Sequence, residues 1–331
     1  MFIRDETLGR VMDITMLGPR GVGKTSLLVS LYDQFQGVAG SGGLVMTASD
    51  ATTRAELQSY RESLRRFAMG VTRDPGIGGN ARVRSHLFGL GTAGRAKPQM
   101  TLRFTDIPGG LLTQTTPDAE TAILDRALKD SGVIFLAVDS PSLMERNGQY
   151  NEETNKPELV TDFVRDALAI GGNRLVVLVP LKCEKYVASA GGTRELAAAV
   201  RESYQQLIKT VGQALMPSAA VLTVVQTVGS MRFSRFEPDA DNAGQTREVF
   251  RLSRLGARYS PQDTDQPLRW MLRFAVNAYK NRGKTVGERI GDWWTDADVP
   301  LNQALRTFGA DCKLEDGFEV LVNHAYLGLP S

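Results

Sequence analysis

The chain has 331 residues, 42% hydrophobic and 23% charged, which suits one large α/β domain with insertions and a sizeable core. Its formal net charge of +2 argues against a nucleic-acid-binding surface spread over the whole molecule. Two cysteines, Cys183 and Cys312, and two histidines, none at ligand spacing, argue against a zinc site or disulfide framework and fit a reducing cytoplasm.

In chain order, Met1–Arg10 is charged and lacks an apolar stretch, so it does not read as a signal peptide. Val11–Leu17 reads as a first strand, and Lys24–Phe35 follows a glycine-rich turn as a helix. Gly37–Asn80 reads as an insertion carrying a helix, with Thr53 and Glu56 as its capping box. Arg82–Leu90 and Met100–Thr105 form the pattern of an antiparallel hairpin. Thr116-Pro117 predicts a helix start, with the helix running to about Asp130.

The apolar runs Val133–Val138, Leu175–Val179 and Val221–Val225 have the length of buried parallel strands. They fall far short of the roughly 20 residues that span a bilayer. Between them lie two helices. One opens around Asn155–Glu158 and ends at Gly171-Gly172, and a long one is capped by Thr193 and closed by Pro217. Val228–Gln262 reads as a second, polar insertion with one strand-like piece at Glu248–Leu252. A helix at Gln266–Asn281 and a mixed extension, residues 284–331, complete the chain. Strands alternating with helices predict β-α-β units in a three-layer α/β/α fold, with a mostly parallel sheet and one antiparallel edge strand.

The chemistry begins at Gly18-Pro19-Arg20-Gly21-Val22-Gly23-Lys24-Thr25, which fits the phosphate-loop pattern GxxxxGK[ST] between a strand and a helix. Its glycines let the backbone N–H groups of Gly21, Val22 and Gly23 curl around a phosphate chain, and the helix N-terminus adds free donors. Lys24 is expected at the β and γ phosphates, Thr25 at Mg²⁺, and the Ser26 N–H toward the phosphates. Asp106 ends a predicted strand, where a carboxylate can hold Mg²⁺ through water, and the Gly109 N–H can meet a γ-phosphate. Ile107 fills the place where many ATPases carry Glu. Gly110 fills the place where many small GTPases carry Gln, and Gln114 lies further on.

Pro180-Leu181-Lys182-Cys183-Glu184 follows the strand that starts at Leu175. It resembles the Asn/Thr-Lys-x-Asp base loop of GTPases, with Leu181 departing from the pattern. With the phosphate loop and Asp106-x-x-Gly109, the chain resembles the P-loop GTPase superfamily over about residues 11–279. Pro180–Tyr186 together with Gln226-Thr227-Val228-Gly229 resembles more narrowly the bacterial double-GTPase family.

The resemblance implies Mg²⁺ and GTP or GDP as ligands, with the Lys182 stem on the base plane. It implies that Glu184 takes the two guanine N–H donors and that a backbone N–H at Thr227 or Val228 meets the guanine oxygen. A protein effector or activator, such as a second GTPase, would be the partner.

Three readings stay open: a GTPase switch, an ATPase or phosphotransferase on the same loop, and a nucleotide-binding scaffold with negligible turnover. Among Thr47, Thr52, Thr53 and Thr72, Thr72 is the expected switch ligand of Mg²⁺. Arg20 is either an internal arginine finger or a solvated side chain. His86, His324 and Trp293-Trp294 read as structural.

Overall fold

The computed structural model describes residues 4–5, 9–38, 43–72, 82–113, 119–239, 246–280 and 299–330. Thr116-Pro117, Gln114 and Trp293-Trp294 lie outside the described residues.

The first elements are β1 (Arg4–Asp5), β2 (Gly9–Leu17), α1 (Lys24–Val38), β3 (Leu44–Ala48), α2 (Ala51–Ala68), β4 (Arg84–Thr92) and β5 (Met100–Asp106). Next come α3 (Ala119–Asp130), β6 (Val133–Asp139), α4 (Ser140–Met144), α5 (Asn151–Thr154), α6 (Pro157–Ala169) and β7 (Arg174–Leu181). The chain continues through α7 (Ala190–Ser203), α8 (Gln205–Gly212), β8 (Ser218–Thr223), β9 (Met231–Pro238) and β10 (Thr246–Leu252). It finishes with α9 (Gln266–Lys280), α10 (Val299–Ala310) and β11 (Phe318–Val322).

The main sheet runs β11-β8-β7-β6-β2-β5-β4-β3, with β1 paired to β2. Strands β5, β2, β6, β7 and β8 are mutually parallel. The expected hairpin of β4 and β5 is antiparallel. Strand β4 is not the edge, however, because β3 pairs outside it, and β11 adds a second antiparallel strand at the far edge.

Why the central strands are apolar throughout is visible in their packing. Val133, Phe135 and Ala137 of β6 join one core with α1, α2, α9 and α10. Ile134, Leu136 and Val138 join the other, with α3, α6, α7 and α8. A strand covered on both faces has no place for a polar alternation. These two cores make the three layers.

Two helix starts differ from expectation because a nearer oxygen takes the cap. Asp50, not Thr53, caps α2, and the Thr53 N–H donates to Asp50 Oδ1 at 2.7 Å. Ser189, not Thr193, caps α7, with the Gly192 N–H donating to its Oγ at 3.1 Å. The long helix expected after it breaks at Tyr204 into α7 and α8. At the end of α3, buried Arg174 donates to the carbonyls of Leu128 and Lys129, each at 2.9 Å, and to that of Ser131. A cation at helix carbonyls suits the negative end of the dipole.

Strands β9 and β10 form a separate two-stranded sheet. It reaches α2 through the Phe67–Phe250 ring contact at 5.7 Å and through Ser230 Oγ, which donates to the Ala68 carbonyl at 2.9 Å. No helix among the described residues is long and apolar enough to cross a membrane.

Candidate functional site

Parallel strands present all their carboxyl ends on one edge of the sheet, and such an edge gathers ligand-binding loops. Here that edge carries the phosphate loop after β2, Asp106 at the end of β5, Asp139 at the end of β6, Leu181 at the end of β7 with Lys182–Glu184 after it, and 226–229 after β8.

The phosphate loop is held against its neighbours by glycines. A Cβ on Gly18, whose φ is +147°, would lie 2.6 Å from the Ala137 carbonyl oxygen of β6. The loop therefore lies directly on the next strand, and only glycine fits. Gly21, Val22 and Gly23 complete the turn, with the Val22 side chain fully buried. Lys24 Nζ lies over the loop, donating to the carbonyls of Gly18 at 3.0 Å and Pro19 at 3.2 Å. Burial lowers the Lys24 pKa, Asp106 opposes this, and the nearby charge of Lys182 adds to it. Ser26 is buried on the first turn of α1, whereas Arg20 is exposed at the loop tip.

Thr25 Oγ1 donates to Asp106 Oδ2 at 2.9 Å, and Lys24 Nζ stands 3.9 Å from Asp106 Oδ1. A hydroxyl and a carboxylate meeting at a helix N-terminus form a hard-oxygen donor pair of the kind that suits Mg²⁺. Gly109 is pressed on the loop from the other side. A Cβ there would come 2.1 Å from the Arg20 backbone nitrogen and 2.4 Å from the Pro19 carbonyl carbon.

Thr72 lies just past the end of α2, which closes at Ala68. Tyr60 of α2 bonds Arg84, the cross-strand partner of Asp106, at 2.6 Å. The helix then runs roughly 12 Å further to Ala68 at 1.5 Å per residue. Beyond its end, Gly70 lies against Leu252 of β10. Among the described residues the Thr72 hydroxyl is buried without a hydrogen-bond partner. His86, read as structural, is fully buried, with its pKa lowered by that burial.

In the segment expected to be the base loop, Leu181 sets its Cδ1 3.7 Å from where a Cβ on Gly23 would stand. It therefore packs on the phosphate loop. Lys182 has φ +57°, a left-handed conformation that costs a lysine about 1–2 kcal/mol. Its ammonium donates to Asp139 Oδ2 at 2.7 Å and also pairs with Glu248 of β10. Glu184 is buried, and its Oε1 accepts the N–H groups of Val228 at 3.2 Å and Gly229 at 3.3 Å. Val228 is one of the two residues, with Thr227, whose N–H is expected at a guanine oxygen, and here that N–H donates to Glu184. Burial raises the Glu184 pKa, and the two backbone donors oppose it. Thr227 is buried beside them.

A model of the family described as Double-GTPase 2 matches residues 13–246, more than half of the chain. The chain belongs to the Double-GTPase 2 family. Membership makes it a GTP-binding protein of the GTPase type. No curated protein sequence matches the chain.

In this Double-GTPase 2 protein two site residues escape the motifs. Asp139 ends an apolar strand just as Asp106 does, a signal available in the sequence. It caps α4 through the Ser142 N–H at 2.9 Å, and its own N–H donates to Asn155 at 2.8 Å. Glu248 carries no sequence signal, because it reaches Lys182 from a segment read as an insertion.

Proposed function

We propose that this protein is a Mg²⁺-dependent GTPase acting as a regulatory switch in a bacterial, cytoplasmic multi-component system. The observation that carries this reading is the 2.9 Å meeting of Thr25 Oγ1 and Asp106 Oδ2 beside the Lys24 ammonium. Thr25 and Asp106 would hold Mg²⁺, which when bound neutralises charge on the phosphate oxygens.

The reaction is attack of a water oxygen on the γ phosphorus, with cleavage of its bond to the β–γ bridging oxygen, giving GDP and phosphate. The chain acts by position and charge. Lys24 neutralises the β and γ phosphates, the N–H groups of Gly21 to Ser26 orient them, and Gly109 senses the γ-phosphate for the loop that follows. Lys182 and Glu184 select guanine, because adenine offers no N–H pair to a carboxylate. Residues 37–80, 228–262 and 284–331 are insertions and an extension on a single G domain, and a second GTPase is the partner we favour.

A binding scaffold with negligible turnover is the second reading. It is favoured by Gly110, an exposed residue with no side chain in the place where GTPases carry a water-positioning Gln. Phosphate release from GTP, measured with Mg²⁺ and with chelator, separates the two. Turnover that disappears in Lys24→Ala supports the enzyme. Tight guanine-nucleotide binding without turnover supports the scaffold.

A further inference from the structure

Helix α2 and the base loop are far apart in sequence, yet the β9–β10 hairpin touches both. Toward α2 it offers Phe250 to Phe67, and Leu252 to Gly70. Toward the base loop it sets Phe233 under the Lys185 ammonium at 5.4 Å, and Phe236 against Tyr150 at 4.7 Å. Between these contacts Glu248 enters the site and pairs with Lys182, which Asp139 already holds.

We propose that Glu248 is a positioning residue, latching the β9–β10 hairpin onto Lys182 so that the hairpin closes the base end of the nucleotide site and retards nucleotide release. This deepens the reading of 181–184 as a base loop and rests on it. Three observations carry the inference. Lys182 is the residue whose stem is assigned to the base plane, so whatever fixes its ammonium fixes that stem. Asp139 alone would satisfy one charge, so the second carboxylate is surplus to neutralising the lysine. Lys182 also holds a left-handed backbone, a conformation that persists where surrounding contacts over-determine it.

The latch has a built-in pH response. Glu248 faces Asp139 from β6 and Lys182 from the base loop, and its charge is felt by Tyr186, which is bonded to Glu145. Burial, then Asp139, raise the Glu248 pKa to about 7, against the ordinary 4.5. A group whose pKa is higher in the closed state than in the open one favours closure when protonated. The latch is therefore firm below pH 7 and loosens as pH rises through it.

The experiment is the release rate of a fluorescent GDP analogue from the full chain at pH 6 to 8, beside its affinity for GDP and ADP. We expect release from the wild type to quicken as pH rises. Glu248→Gln should stay slow with a flat profile. Glu248→Ala should release about tenfold faster at pH 6, the size of losing one buried hydrogen bond to a charged partner.

If Glu248→Ala lowers only the thermal midpoint and leaves release unchanged, the latch is overturned while the base loop stands. The same holds if Glu248→Gln keeps the wild-type pH slope. If the wild type binds ADP as well as GDP, and Glu184→Ala changes neither, the base-loop reading itself is overturned and the latch with it.

Discussion

Thr25 Oγ1 and Asp106 Oδ2 meet at 2.9 Å, joining the first turn of α1 to the end of β5 across 81 positions of sequence. The parallel pairing of β2 with β5 makes this possible, since Met16 stands opposite Asp106 in register. The strand that delivers the phosphate loop thus also fixes the height of the carboxylate.

From this pair comes the first expectation. Asp106→Asn keeps the size and one acceptor but loses the charge that draws a divalent cation. GTP-dependent stabilisation of the wild type at 100 times Kd amounts to about 2.7 kcal/mol. Thermal unfolding of Asp106→Asn should show most of the Mg²⁺-dependent part of that shift gone. An unchanged response to Mg²⁺ would remove Asp106 from the metal site.

Gly109 gives a steric test of the loop after β5. An added methyl would stand 2.1 Å from the Arg20 nitrogen, a backbone atom that cannot turn aside as a flexible side chain would. In Gly109→Ala the loop has to withdraw, so GTP turnover should fall at least tenfold while GDP binding changes little. Equal losses in both would mean that the phosphate loop itself has been displaced.

Much of this arrangement was legible in the sequence, for a physical reason. Strands buried on both faces are bare apolar runs, so Val133–Val138 and Leu175–Val179 announce themselves, and the glycines of 18–23 mark a backbone that approaches other atoms too closely for a side chain. Edge elements were harder to read. Strand β3 alternates buried Leu44 and Met46 with exposed Val45 and Thr47, and β11 is mostly half-buried, so neither shows an apolar run. Helix starts failed where an equally good capping residue stood a few positions upstream, as Asp50 does before Thr53. The Lys182–Glu248 contact depends on how a separate hairpin packs, and no local pattern encodes it.

Glu184 separates stability from selectivity. Glu184→Ala orphans the N–H groups of Val228 and Gly229, at a cost of about 1–3 kcal/mol each if they stay dry. Glu184→Gln keeps an acceptor for both, so it should fold normally yet lose its preference for GDP over ADP. The pH sign follows from the raised pKa. Folding favours the neutral acid, so this contribution is full below the ordinary value and is lost as pH rises through the raised one. The nucleotide-free wild type should therefore lose more thermal stability with rising pH than Glu184→Gln does. Matching slopes in the two proteins would contradict a buried, ionising Glu184.

Arg174 supplies the opposite control, a buried charge with no part in the nucleotide site. Its guanidinium donates to the carbonyls of Leu128, Lys129 and Ser131, closing the end of α3 at the edge of the sheet away from the phosphate loop. Arg174→Met conserves much of the side-chain volume but leaves those carbonyls without their cation. Hydrogen bonds from a charged group are worth about 1.5–3 kcal/mol each, and removing the arginine also relieves the cost of burying its charge. The net loss should be about 2–4 kcal/mol, read as a lower denaturant midpoint at an unchanged slope. The ratio of GDP to ADP affinity should stay as in the wild type, since α3 packs on the opposite core from α1. A change in that ratio would mean that the end of α3 communicates with the base loop through β7, whose first residue is Arg174 and whose last is Leu181.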